Sequence, residues 1–116
     1  MKILFVCLAN QIRSRGAEAW FEKNHPEHEF QSAGTIPWRV EVVRKELFPG
    51  AQLLDWADKV VFMDEEVRQS AIKILGRDIV LSRPQEVWGV PDQFGSWDSP
   101  SLIKLFESLE LDDFFK

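Results

Sequence analysis

A lone thiol, an arginine six residues further on and a hydroxyl directly after it stand near the start of the chain: Cys7, Arg13 and Ser14. A cysteine can attack phosphorus or another electrophile when its sulfur is held as thiolate. An arginine can grip two oxygens of a phosphate at once, because its planar fork matches their spacing. The residues between them, Leu8, Ala9, Asn10, Gln11 and Ile12, form a short connection. Asn10 suits the left-handed backbone that a tight loop needs. If a strand ends at Cys7 and a helix starts near Ser14, the N–H groups of the loop and of the first helical turn converge. They form a concave anion site, and the helix dipole adds partial positive charge. That chemistry is nucleophilic attack on a bound oxyanion, with a hydroxyl close to the sulfur.

The flanking elements are the ones this arrangement needs. Lys2 to Val6 (KILFV) has the apolar run of a buried strand. Ala17, Trp20, Phe21 and Asn24 recur at helical spacing and predict a helix over 14–24, with Ser14 able to cap it and His25-Pro26 ending it. A second short strand is expected over 30–33, with a turn at Gly34. Val40, Val43 and Leu47 then make one face of a helix over 39–47, stopped by Pro49-Gly50, and a turn or two of helix is expected over 51–57. Lys59 to Met63 (KVVFM) is a strong buried-strand signal. Asp64 follows as an N-cap, with Glu65 and Glu66 in the first turn of a helix that buries Val67, Ala71, Ile74 and Leu75 and closes at Gly76. The apolar stretch 78–81 reads as a fourth strand and 82–98 as a long loop. Ser99-Pro100 starts a last helix lined by Leu102, Leu105, Phe106 and Leu109. Strands alternating with helices imply an α/β fold: a single domain over 1–116, with a four-stranded parallel sheet, helices on both faces and right-handed crossovers. Ligands in such sheets bind at the carboxyl ends of the strands, where Cys7 would lie.

Composition narrows the partners. With 116 residues and 45% apolar content, the chain can bury a proper core. A formal charge of −5 argues against nucleic acid or anionic membrane as partner, so phosphate affinity must come from a local nest. One cysteine permits no intrachain disulfide and fits a reducing, cytoplasmic setting. No stretch is long enough to span a membrane. No cluster has metal-ligand spacing, and His25 and His28, in a surface turn, receive no role.

On the residues Cys7, Asn10, Arg13 and Ser14, the chain resembles the low-molecular-weight protein tyrosine phosphatase family. That family's loop runs Cys-x-Gly-Asn-x-Cys-Arg-Ser-Pro after an N-terminal strand. Here Ala9, Ile12 and Arg15 replace its Gly, second Cys and Pro. Ser32-Ala33-Gly34-Thr35 is similar to the family's Ser-Ala-Gly-Thr, and Trp38 to the aromatic walling its cleft. The segment from Trp56 through Met63 is similar to the family's Ala-Asp, strand and Met segment. Val90-Pro91-Asp92-Gln93-Phe94-Gly95 resembles the acid loop, with Asp92 at the acid position. Asp98 competes with it, but before Ser99-Pro100 it reads more simply as part of a helix cap. The resemblance implies strand order 2-1-3-4 and cleavage of phosphotyrosine or a similar aryl phosphate through a phosphocysteine, without metal or cofactor. It also implies Cys7 as nucleophile, Arg13 and residues 8–12 with Ser14 as the oxyanion cradle, Asp92 as acid, and Trp38 and Phe94 as slot walls. The partner implied is a phosphotyrosine protein or small aryl phosphate, acted on by a monomer or weak dimer. Two alternatives differ in chemistry. A thioredoxin-coupled arsenate reductase would need further cysteines, and the chain has none. A non-catalytic phosphate-binding module is motivated by Ala9, whose methyl stands where the loop must approach phosphate closely. The chain has no tyrosine, so the family's regulatory tyrosines beside the acid are absent.

Overall fold

Period-two burial along two strands builds the centre of the molecule. The structure is a computed structural model and describes residues 1–8, 12–35, 51–91 and 93–109. In β1 (Lys2–Cys7), Ile3, Phe5 and Cys7 face one layer, and Leu4 and Val6 face the other; all five are buried. β3 (Lys59–Phe62) repeats this, with Val61 facing the first layer and Val60 and Phe62 the second. Strands buried on both faces belong to a parallel sheet covered by helices on each side. The sheet is indeed parallel, in the order β2-β1-β3-β4, with β2 spanning Glu29–Gly34 and β4 Gln85–Val87.

One layer is formed by α1 (Arg13–Asn24) and α5 (Pro100–Ser108). Ala17, Phe21, Leu102 and Phe106 pack there on Ile3, Phe5, Val61 and Met63. Phe21 is its hub, with ring centroids 5.3 Å from Phe5, 5.8 Å from Phe30, 5.7 Å from Trp88 and 6.1 Å from Phe106. Each such buried ring contributes roughly 1.5–3 kcal/mol from area alone. The opposite layer holds α2 (Ala51–Trp56), α3 (Glu65–Leu75) and the single turn α4 (Arg77–Val80), through Leu54, Val67, Ala71 and Val80. The expected helix over 39–47 lies outside the described residues.

The sheet order and the helices on both faces agree with expectation; three local expectations do not. The fourth strand is Gln85–Val87, not 78–81. Residues 77–80 wind into a helical turn after Gly76 (φ 93°), with Val80 buried while Ile79 and Leu81 stay exposed. One buried residue between two exposed ones is all that a single turn can bury. The true strand is polar because it is an edge: Lys59 Nζ lies 3.5 Å from Glu86, and the Gln85 amide donates to the Val80 and Arg83 carbonyls. Ile74, expected in the core, is half exposed, and Leu75 is partly buried. Ser14 does not cap α1: the N-cap position is Ile12, with no side-chain capping bond. Among the described residues, no helix is long and apolar enough to cross a membrane.

Candidate active site

Register brings the relevant strand ends to one edge. Cys7 lies level with Gly34, Val6 with Phe62, and Phe62 with Val87. The residues just beyond these pairs, Leu8, Thr35, Asp64 and Val90, therefore share the carboxyl edge of the sheet. In the order β2-β1-β3-β4 the chain leaves β1 toward β2 and returns on β1's other side. The switch point is thus beside Cys7, where open α/β sheets bind ligands.

Cys7 is buried at the end of β1, and its Sγ lies 2.9 Å from Ser14 Oγ, close enough for a hydrogen bond. Ser14 Oγ also lies 3.3 Å from the Ala33 carbonyl, to which it can donate. A hydroxyl has one proton, so it donates to one of the two at a time. The oxygen expected to cap the helix is turned toward the sulfur instead. Ser14 is the second residue of α1, so the sulfur sits at the positive end of that helix dipole, where a negative charge is favoured.

Arg13 opens α1 and is 2% exposed. Its Nη1 donates to Asp64 Oδ2 at 2.7 Å and to the Val90 carbonyl at 3.0 Å. Asp64 is also the N-cap of α3 that its sequence position predicts: its Oδ1 accepts from the Val67 N–H at 2.8 Å. Sequence reasoning found the cap and missed the arginine. The available signal was position, a carboxylate directly past a central strand's carboxyl end. Thr35 was also missed as part of this edge. Its N–H donates to the Cys7 and Leu8 carbonyls at 3.2 and 2.6 Å, and its hydroxyl is buried with no hydrogen-bond partner among the described residues.

Of the sequence-predicted residues, the structure pairs Cys7 with Ser14, and Arg13 opens the helix that carries Ser14. Leu8 is partly buried against the α2–α3 layer and Ile12 against the α1–α5 layer. Phe94 packs partly buried on that second layer too. Ala9, Asn10, Gln11, Trp38 and Asp92 lie outside the described residues. Trp88 is partly buried against the α1–α5 layer, its ring tilted near Phe5 and its indole N–H donating to Glu86. Trp97 is 37% exposed and lies under Arg15, whose Cζ is 5.2 Å from the ring centroid. Asp98 accepts a 2.7 Å bond from Ser96 Oγ in an exposed turn before α5. Among the described residues, no three His, Cys, Asp or Glu side chains gather as a metal site.

The model of the low-molecular-weight phosphotyrosine protein phosphatase family matches residues 2–47, which hold β1, the thiol loop, α1 and β2. The resemblance read from Cys7, Asn10, Arg13 and Ser14 is that of the fold. The chain has the low-molecular-weight phosphatase fold. A low-molecular-weight protein tyrosine phosphatase from Bacillus subtilis is 24% identical, with a TM-score of 0.62 over 90% of this chain and 86% of that one. A protein tyrosine phosphatase from Entamoeba histolytica, solved with Hepes in its active site, is 20% identical. It has a TM-score of 0.66 over 92% and 90% of the two chains. The YwlE arginine phosphatase, as a mutant with a phosphorylated active-site serine, is 21% identical with a TM-score of 0.60 over the full length of both. No curated protein matches the sequence. The three neighbours named here are phosphatases, and the model that matches the amino-terminal segment is that of a phosphatase family.

Proposed function

We propose that the chain is a cysteine-dependent phosphatase that hydrolyses phosphotyrosine or a similar aryl phosphate monoester through a phosphocysteine. The observation that carries this reading is the buried pairing of Cys7 Sγ with Ser14 Oγ, with the buried Arg13 guanidinium opening the same helix. In the first step the Cys7 thiolate attacks phosphorus, a P–S bond forms and the P–O bond to the aryl group breaks. Arg13 and the amides of residues 8–14 hold the three equatorial oxygens, whose charge is spread in a loose transition state. Asp92, assigned by resemblance, gives its proton to the departing aryl oxide. In the second step Asp92 takes a proton from water, whose oxygen displaces sulfur, releasing phosphate and regenerating the thiolate. The Ser14 hydroxyl, 2.9 Å from the sulfur, is placed to donate to it as it leaves. Trp38 and Phe94 would wall the slot for the aryl ring. No step needs a metal or cofactor.

The test compares wild type, Cys7→Ser and Asp92→Ala on p-nitrophenyl phosphate, a phosphotyrosine peptide and phosphoarginine. The expected result is turnover by wild type on both aryl substrates, none in Cys7→Ser and a partial loss in Asp92→Ala. An inactive wild type that still binds vanadate would make the chain a phosphate-binding module. Turnover of phosphoarginine alone would move the substrate from an oxygen ester to the P–N bond acted on by one structural neighbour.

A further inference from the structure

Asp92, the acid assigned by resemblance, belongs to a stretch that does little to hold itself. Among the described residues from 91 to 99 there is no helix or strand, and all but Phe94 and Ser99 are exposed. Such a segment opens at little cost. A proton donor, however, must stay within hydrogen-bond reach of the leaving oxygen. Its placement therefore depends on how the stretch is tied down at its two ends.

Both ties run to the first turn of α1. At the near end Val90 is buried; its N–H donates to the Met63 carbonyl at 2.6 Å, and its carbonyl accepts from Arg13 Nη1 at 3.0 Å. At the far end the Trp97 carbonyl approaches α1 so closely that a Cβ on Gly16 would lie 2.6 Å from it. The Trp97 ring lies under Arg15, whose Cζ is 5.2 Å from the centroid, within reach of a cation–π contact. A planar guanidinium can lie flat on an indole face, as a lysine ammonium cannot. The turn that carries Trp97 is closed by the Ser99 N–H on the Ser96 carbonyl at 3.2 Å. Arg13, Arg15 and Gly16 all belong to that first turn, and Ser14 between them lies 2.9 Å from the sulfur. One helix turn thus carries the residues of the proposed cradle and grips both ends of the acid-bearing stretch.

We infer that Arg15 and Trp97 are a positioning pair for the general acid, holding the far end of the Asp92-bearing stretch against the helix that carries Arg13. The inference rests on the phosphatase reading above and on its assignment of Asp92. Both side chains are exposed, so a contact made only for stability would leave the chemistry unchanged when removed. A contact that places the acid has a different signature. Its loss is felt most by esters whose leaving oxygen most needs a proton.

The test measures kcat/KM on phenyl phosphate and on p-nitrophenyl phosphate, whose leaving group is the more acidic. On phenyl phosphate, Arg15→Ala should lose about threefold and Trp97→Ala about tenfold, the scale of a cation–π contact. On p-nitrophenyl phosphate both should lose less than about twofold, because that oxide departs with little help. Trp97→Phe, which keeps a ring under Arg15, should recover most of the loss. The double variant should be no worse than Trp97→Ala alone, as expected of two residues acting as one contact. Placed on Asp92→Ala, neither change should lower kcat/KM further. Equal losses on the two esters, or a loss that persists in Asp92→Ala, overturns the inference while leaving the phosphatase reading intact. Should Trp97→Ala fail to fold, the exposed Arg15→Ala decides by the same two comparisons. An Asp92→Ala protein as active as wild type on phenyl phosphate removes the acid assignment and the inference together. A wild type that turns over neither ester overturns the phosphatase reading itself.

Discussion

Gly16 is where α1 and the turn before α5 come closest, and the consequence of filling that contact can be worked out from the geometry. A Cβ there would lie 2.6 Å from the Trp97 carbonyl oxygen and 2.9 Å from Leu102 Cδ2. The leucine tip can swing away. The carbonyl is backbone, and its turn is held by the Ser99 N–H on the Ser96 carbonyl at 3.2 Å and by Ser96 Oγ on Asp98 at 2.7 Å. Gly16→Ala therefore forces the turn and helix apart, an overpacking cost of about 1–3 kcal/mol. Against this stands a helix-propensity gain of about 1 kcal/mol for replacing glycine with alanine. The backbone clash lies at the upper end of that cost, so the net is a loss of up to about 2 kcal/mol, or up to roughly 10 °C in melting temperature for a domain of this size. Urea denaturation followed by far-UV circular dichroism should show a lower midpoint with an unchanged slope. Gly95→Ala is the control. No atom lies within 4 Å of its added Cβ and its φ is not positive, so that variant should match or slightly exceed wild type. A Gly16→Ala protein as stable as the Gly95→Ala protein would refute the idea that backbone contact between α1 and the Trp97 turn sets their spacing. Because Gly16 lies one turn from Arg13, the displaced helix should also lower the proposed turnover of p-nitrophenyl phosphate.

Two further predictions use single side chains. The Glu18 carboxyl is held above the usual glutamate range, mainly by burial, while the hydrogen bond from Ser32 pulls it down, Glu22 pushes it up and Arg15 pulls it down. The folded chain therefore holds this proton more tightly than the unfolded one. Stability from Glu18 is fully present below 4.5, the unfolded value, and is lost as pH rises through the higher folded value. Glu18→Gln keeps the acceptor for Ser32 and cannot ionise, so it should melt above wild type at pH 7.5, with the gap closing as pH falls below 4.5. A pH-independent gap would remove burial as the cause. Cys7 is the only cysteine, so a sulfenate formed on it has no second thiol in the chain to trap it as a disulfide. Prolonged excess peroxide should add two or three oxygens to Cys7 by mass spectrometry and abolish turnover, and full recovery with dithiothreitol would contradict this.

What could be read before the fold was known follows from separation along the chain. β1, α1 and β3 were legible because their signals are periodic and local: Ile3, Phe5 and Cys7 against Leu4 and Val6, then Ala17 and Phe21 one turn apart. The Asp64 cap was legible because its acceptor and the Val67 N–H are three residues apart. Its bond to Arg13 spans 51 positions and has no periodic trace, since it exists only once the sheet sets β3 beside β1. β4 escaped for the opposite reason. An edge strand of three residues buries little, so Gln85-Glu86-Val87 carries no apolar run, whereas the apolar run at 78–81 spends its one buried residue, Val80, on a helical turn. Ser14 shows a local rule being overridden. A serine at a helix start favours capping by about 1 kcal/mol, but the next-door strand end places a sulfur 2.9 Å from its oxygen. The first turn of α1 thus forgoes a side-chain cap and turns its hydroxyl to the one atom in the chain able to act as a soft nucleophile. A helix optimised only for its own stability would have kept the cap. Ser14→Asp, which offers a stronger cap but sets a carboxylate against the sulfur, should accordingly lose turnover whether or not the helix gains stability.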